Sequence, residues 1–216
     1  MKQLPRRTPS RRTSVVLLVA ALLGLFGVLA VHVATGRAQV HDTAILLAIN
    51  QHASSLLDTV ALTVTHSGDM VVIGTVGVLV LAYLLRRHQR AAATQIAIVI
   101  GGAAVLNTLL KLIFQRDRPE LWELLTYEAT YSFPSGHALM TSVVAGLLIA
   151  MTWRSNWRWW TLSFGVLYTV LVGLSRLYLG VHYPSDVLAG WCVGAVWVLI
   201  VVVAMKAVQK NRTVTQ

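Results

Sequence analysis

Long apolar runs separated by short polar clusters dominate the chain. A helix that crosses a bilayer needs about 20 mostly apolar residues at about 1.5 Å rise each. Six runs meet or approach that length: residues 15–34, 70–85, 91–114, 137–153, 159–178 and 187–205. Between the first two, residues 42–64 are mixed. Ile45, Leu46 and Ile49 share one helical face and Leu56, Leu57 and Val60 another, with Asn50, Gln51 and His52 between them. This pattern predicts one or two short helices lying at the membrane–water interface. The basic flank before residue 15 resembles that of a secretory signal peptide. The apolar run that follows is longer than a signal core, and no small-x-small cleavage site comes after it, so we read a retained helix. There is no internal repeat and no low-complexity linker. The prediction is an all-α polytopic membrane protein: a six-span domain over 15–205, with a basic tail at 1–14 and a second tail at 206–216.

Composition agrees with this class. Of 216 residues, 56% are hydrophobic and 12% charged, and the mean hydropathy is +0.67; a soluble domain carries about 25% charged residues. The formal net charge of +10 would suggest nucleic acid in a soluble protein. Here the cations cap apolar runs, and no continuous basic face exists, so topology and anionic headgroups explain them and nucleic acid is excluded. The single Cys192 lies in an apolar run, which rules out an intrachain disulfide and argues against a metal cluster.

Charge also predicts orientation. Thirteen of the eighteen Lys and Arg fall in the two tails, the 86–90 loop and the 154–158 loop, which share one side if there are six spans. The positive-inside rule makes that side, with both termini, cytoplasmic. The other five cations are Arg37, Lys111, Arg116, Arg118 and Arg176, and all eight acids lie on their side. Trp153, Trp157, Trp159 and Trp160 read as an interfacial aromatic belt. Gly101-Gly102-Ala103-Ala104 reads as a place where two helices approach closely.

Three stretches on the outer side carry candidate chemistry. Lys111 lies near the end of the third run, and Arg118 follows just before Pro119, which disfavours helical geometry there and favours a turn. Both side chains suit phosphate oxygens, Arg as a planar fork and Lys as a point charge; snorkelling from a span end is the alternative. Pro134-Ser135-Gly136-His137 opens the fourth run. Ser135 is a natural N-cap and Gly136 permits close backbone approach. The unpaired first amides of the helix can bind an anion within reach of His137, or the stretch is an ordinary cap. Ser175-Arg176 ends the fifth run, and His182 and Asp186 flank the start of the sixth, where Pro184 suits a first turn. A carboxylate on one imidazole nitrogen fixes the tautomer and leaves the other as a nucleophile; the alternative is a local His–Asp hydrogen bond with no reactivity.

Taken together and in order, these stretches resemble the type 2 phosphatidic acid phosphatase superfamily, which includes bacterial membrane lipid phosphatases and vanadium haloperoxidases. The family pattern Lys-x6-Arg-Pro, Pro-Ser-Gly-His, Ser-Arg-x5-His-x3-Asp is matched at Lys111, Arg118, Pro119, Pro134, Ser135, Gly136, His137, Ser175, Arg176, His182 and Asp186, with no departure. The resemblance implies an acid phosphatase/vanadium haloperoxidase-like helical bundle and a phosphatase that uses no metal and no cofactor. His182 would attack phosphorus and Asp186 would support it. His137 would protonate the leaving oxygen. Lys111, Arg118 and Arg176 would hold the phosphoryl oxygens with Ser135 and the Gly136 amide. Pro119, Pro134 and Ser175 would support the site. Such catalysis needs mainly positioning and charge. Leu121, Trp122, Leu124, Leu125 and Tyr127 in the long loop would rest on the lipid surface or border an access groove, while Asp117, Glu120, Glu123 and Glu128 would solvate that loop, with substrate contact the alternative. Similar compact bacterial members act on undecaprenyl diphosphate, phosphatidylglycerophosphate, phosphatidic acid or diacylglycerol pyrophosphate; an outward site in the plasma membrane favours undecaprenyl diphosphate. Phosphotransfer between lipids, halide oxidation, and a non-enzymatic transporter or scaffold are the competing functions. No feature of the sequence specifies an oligomer.

Overall fold

The computed structural model describes residues 11–214, with side chains over 13–207. The described residues form eight α-helices and no strand: α1 Arg11–Ala34, α2 Ala38–Asn50, α3 Ser55–Ser67, α4 Met70–Arg86, α5 Arg90–Phe114, α6 Gly136–Thr152, α7 Arg158–Tyr178 and α8 Pro184–Val214. Residues 1–10 and 215–216 of the expected tails lie outside the described residues. The backbone is already helical at Arg11 and still helical at Val214, so α1 and α8 overrun the expected ends of the membrane domain; Arg and Lys are good helix formers and do not stop a helix.

Among the described residues, five stretches are long and apolar enough to cross a membrane: Thr13–Ala34, Ser55–Arg86, Arg90–Phe114, Arg158–Tyr178 and Pro184–Ala207. The sequence pattern predicts six. The shortfall is α6, an apolar helix of 17 residues, about 25 Å long at 1.5 Å per residue. It is short because its first turn starts inside the protein, where Ser135 is fully buried. The mixed region forms two helices, separated where Asn50 to His52 interrupt the pattern. Ser54 caps the second, accepting from the Leu57 amide at 3.4 Å. Leu56, Leu57 and Val60 are exposed on one face of α3, and Ala61 and Thr65 point inward from another. Thr65 faces in because its hydroxyl serves Arg176.

The central helix is α6, packed against α5, α7 and α8. Val99 and Ala103 of α5, Leu139, Met140, Val143 and Leu147 of α6, and Val198, Val201 and Val202 of α8 form the main core. Lipid supplies no hydrophobic drive between helices, so close packing must hold them. Gly190 and Gly194, one turn apart on α8, allow this: a Cβ there would lie 2.6 Å from the carbonyl oxygens of Ser135 and Leu139. At the Gly101–Ala104 stretch α5 receives a side chain of α8. Gly102 makes room for the Trp197 ring, whose Nε1 donates to the Val99 carbonyl at 2.9 Å. The opposite face of the bundle is apolar and exposed, with Val71, Val78, Leu79 and Phe164 all largely uncovered.

Candidate active site

Helix ends at one end of the bundle bring the three sequence stretches together. Helix α5 stops when Gln115 takes a left-handed conformation (φ 44) and its amide closes on the Lys111 carbonyl at 2.9 Å. The chain then turns back over the bundle, so Arg116 and Arg118 point inward from the loop while Lys111 points inward from the last helical turn. Buried Arg176 comes from the last turn of α7. His182 sits in the short connection to α8, and Asp186 in that helix's first turn.

His182 is 1% exposed and Asp186 fully buried. Arg118 Nη1 donates to His182 Nε2 at 3.2 Å. A guanidinium has no acceptor, so Nε2 carries the lone pair and Nδ1 the hydrogen. Nδ1 lies 3.4 Å from Asp186 Oδ2, close enough for charge stabilisation but not aligned as a hydrogen bond. Burial, then the neighbouring Arg118, Arg176 and Lys111, push the His182 imidazole well below its usual range, so it is neutral near pH 7 and its free nitrogen faces the cations.

Asp186 is held by a group the motifs omit. Arg116 Nη1 donates to Asp186 Oδ1 at 2.6 Å and to Ser185 Oγ at 2.7 Å. Its Nη2 reaches Asp42 Oδ2 at 2.8 Å, and the guanidinium lies 4.0 Å over the Tyr183 ring. Asp42, buried on α2, also accepts from the Ser185 amide at 3.1 Å and from its hydroxyl. The Tyr183 amide donates to Asp186 Oδ2 at 2.9 Å. The carboxylate is therefore fixed on both oxygens before it meets His182.

His137 stands across the cup, in the first turn of α6. Its Nε2 donates to Asp69 Oδ1 at 2.7 Å, which leaves Nδ1 facing inward. Asp69 occupies the N-cap position of α4 but makes no cap bond with its side chain; it is spent on His137 instead. Ser135 likewise sits at the N-cap of α6 without capping it. Its amide donates to the Asp186 carbonyl at 3.0 Å, and its buried Oγ has no partner. This corrects the expectation of a capping serine: the hydroxyl is available to a ligand. Gly136 is pressed close to α5, where a Cβ would lie 3.1 Å from Asn107 Nδ2. Ser175 turns away from the cup, its hydroxyl donating to the Val172 carbonyl of its own helix at 2.7 Å. Pro119 and Pro134 are buried in the loop that carries Arg118 and opens α6.

The three cations of the motifs all face the segment 128–131. Lys111 Nζ donates to Thr130 Oγ1 at 2.7 Å. Arg118 Nε donates to the Thr130 carbonyl at 2.7 Å, and its Nη2 lies 3.8 Å from Glu128 Oε2. Arg176 Nη1 donates to Thr65 Oγ1 at 2.7 Å, and its Nη2 pairs with Glu128 Oε1. Glu128 Oε1 also lies 4.0 Å from His137 Nδ1. Glu128 thus sits among the site's cations instead of solvating the loop. Burial alone would raise its pKa, but Arg176 and then Arg118 outweigh that and hold the carboxyl below its usual value.

A family model described as the PAP2 superfamily matches residues 92–210. The phosphatidylglycerophosphatase B of Bacillus subtilis (strain 168) is 30% identical over 179 residues, 81% of this chain and 88% of that protein. An undecaprenyl-diphosphatase of Sulfolobus acidocaldarius is 34% identical over 119 residues, 53% of this chain, and the chain spans about half (55%) of that relative's length. The crystal structure of a transmembrane PAP2-type phosphatidylglycerolphosphate phosphatase from Bacillus subtilis superposes with a TM-score of 0.79 at 27% identity, covering 89% of this chain and 96% of that one. The sequence match, the shared bundle and the convergence of its motif residues on one cup agree: this chain belongs to the PAP2 superfamily.

Proposed function

We propose that the chain hydrolyses a lipid phosphate or diphosphate without a metal, through a phosphohistidine at His182. The observation that carries this reading is the buried His182 Nε2, 3.2 Å from the Arg118 guanidinium, neutral and in a cup of three cations. Nε2 attacks phosphorus while the phosphoryl oxygens rest on Lys111, Arg118 and Arg176, with the Ser135 hydroxyl and the first amides of α6. The bond from phosphorus to the leaving oxygen breaks, and that oxygen takes the Nδ1 proton of His137, which enters the step as an imidazolium between the bound phosphate and Asp69. The Asp186 carboxylate offsets the positive charge that forms on the His182 ring. Water then attacks the phosphohistidine, His137 recovers a proton, and the P–N bond breaks to release inorganic phosphate.

The favoured substrate is undecaprenyl diphosphate, cleaved to undecaprenyl phosphate on the outer face of a bacterial plasma membrane. The Lys/Arg excess on the 86–90 and 154–158 loops supports that orientation, with six spans and both termini cytoplasmic. Here α6 counts as the sixth span and α2 lies at the interface. A phosphatidylglycerophosphate or phosphatidic acid phosphatase is the second reading, favoured by the longer match to the Bacillus subtilis enzyme. The test is a panel of these lipids assayed for released phosphate with purified wild type and His182→Ala. Undecaprenyl diphosphate should give the highest kcat/KM, and His182→Ala should release none. A labelled acceptor lipid without free phosphate would indicate a phosphotransferase instead.

A further inference from the structure

We propose that Glu128 is a specificity-determining residue: its carboxylate occupies the phosphate position and admits only headgroups that carry more charge than it does. The inference rests on the phosphatase reading of the cup. Glu128 pairs with Arg176 and lies 3.8 Å from Arg118 and 4.0 Å from His137. These are the groups assigned to the phosphoryl oxygens and the leaving oxygen. Two residues on, Thr130 occupies Lys111 and the Arg118 Nε. A short piece of the chain's own loop therefore takes up donors from all three cations.

This segment is placed to be exchanged. No helix or strand spans 115–135. Glu128 is one-quarter exposed, while Tyr127 and Tyr131 beside it are open to the outside. Deeper groups already stand without partners, among them Ser135 Oγ and Arg176 Nε.

The selectivity follows from charge. A carboxylate brings one negative charge and two acceptor oxygens. A phosphodiester headgroup, the kind most bilayer lipids carry, also brings one charge and two free oxygens. Exchanging one for the other gains little. A terminal phosphate brings roughly two charges and three strong acceptor oxygens, so it gains both charge and hydrogen bonds from Lys111, Arg118 and Arg176. Glu128 thus keeps abundant diester lipids out of a cup that three cations would otherwise open to any anion, and it costs a terminal phosphate only part of its affinity.

The test uses the full chain in mixed micelles. Hydrolysis of phosphatidic acid is measured for wild type, Glu128→Gln and Glu128→Ala as phosphatidylglycerol replaces a neutral diluent, and again with inorganic phosphate as inhibitor. Phosphatidylglycerol should barely inhibit wild type. In each neutral variant that keeps the wild-type melting transition, both inhibition constants should fall about tenfold, the factor that corresponds to roughly 1.4 kcal/mol. Glu128→Asp, which keeps the charge, should stay near wild type. Unchanged or weaker inhibition in a folded neutral variant overturns the proposal. Should wild type release no phosphate from any lipid, the functional reading fails separately. Calorimetric binding of inorganic phosphate to the same proteins then still decides the filter: tighter binding in the neutral variants supports it and unchanged binding overturns it.

Discussion

At the scale of single residues, the site is two imidazoles, each backed by a carboxylate and each offering its other nitrogen to the same space. His182 has Asp186 behind it, and His137 has Asp69. The two pairs differ in their task. Under the proposed mechanism, burial and then the surrounding cations keep His182 neutral, as a nucleophile requires, whereas the Asp69 carboxylate, 2.7 Å from His137 Nε2, offsets the charge of the imidazolium that protonates the leaving oxygen. Asp69→Asn keeps a hydrogen-bond acceptor and removes the charge. It should lower kcat for a lipid phosphate, a poor leaving group, by about 10–100-fold, while an activated aryl phosphate, which needs no proton, is cleaved almost normally. Equal losses on both substrates would make Asp69 purely structural. His182 also makes a pH prediction. Its folded pKa lies well below 6.5, so between the two values the unfolded chain binds the extra proton, and the group's contribution to stability is present above pH 6.5 and lost as pH falls through the folded pKa. Melting temperatures in detergent should fall more steeply on acidification for wild type than for His182→Gln.

At the scale of elements, the cup exists because four helix ends and one loop meet at the same level. Helix α6 is the key piece: its N-terminus must lie inside the bundle, and α8 must press against it there. Gly190 and Gly194 make this contact possible. A valine at 194 would press on the Leu139 backbone and on Ser142, and overpacking of this kind costs about 1–3 kcal/mol. Gly194→Val should lower the melting transition by several degrees and reduce kcat as the Ser135–Asp186 contact loosens; Gly194→Ala should do the same more mildly. The limits of reading such a site from sequence also show at this scale. Lys111, Arg118, His137, Arg176, His182 and Asp186 were legible because reactive groups in an apolar chain stand out, and their spacing to helix ends is local. Asp69 and Arg116 were not. Asp69 looks like an ordinary cap before an apolar run, and its partner is 68 residues away. Arg116 lies within a motif without being one of its fixed positions, and its partner Asp42 comes from a different helix 74 residues earlier. Glu128 had the composition of a solvated loop, and only folding puts it next to Arg176.

At the scale of the whole molecule, one end of the bundle gathers the acids and the five cations outside the basic loops, and the other end gathers the short basic loops and the Trp residues at 153–160. Between them the outer surface is apolar, as a bilayer solvent requires. Under the proposed function, a bundle built this way takes a lipid's headgroup at the cup while its tail stays in the hydrocarbon. Orientation then decides which leaflet is served. A cysteine at Glu120, an exposed position on the long loop, should react in intact cells with a membrane-impermeant maleimide, and one at His88 should react only after permeabilisation; the reverse labelling would put the cup at the cytosolic face.

The account turns on His182 as the nucleophile. Wild type and His182→Ala would be mixed with lipid phosphate labelled in its terminal phosphorus, quenched within milliseconds, and digested to locate the label. We predict an acid-labile, base-stable phosphoryl group on the peptide that carries His182, absent from His182→Ala. Undiminished labelling or turnover in His182→Ala, or label on another residue, would contradict it.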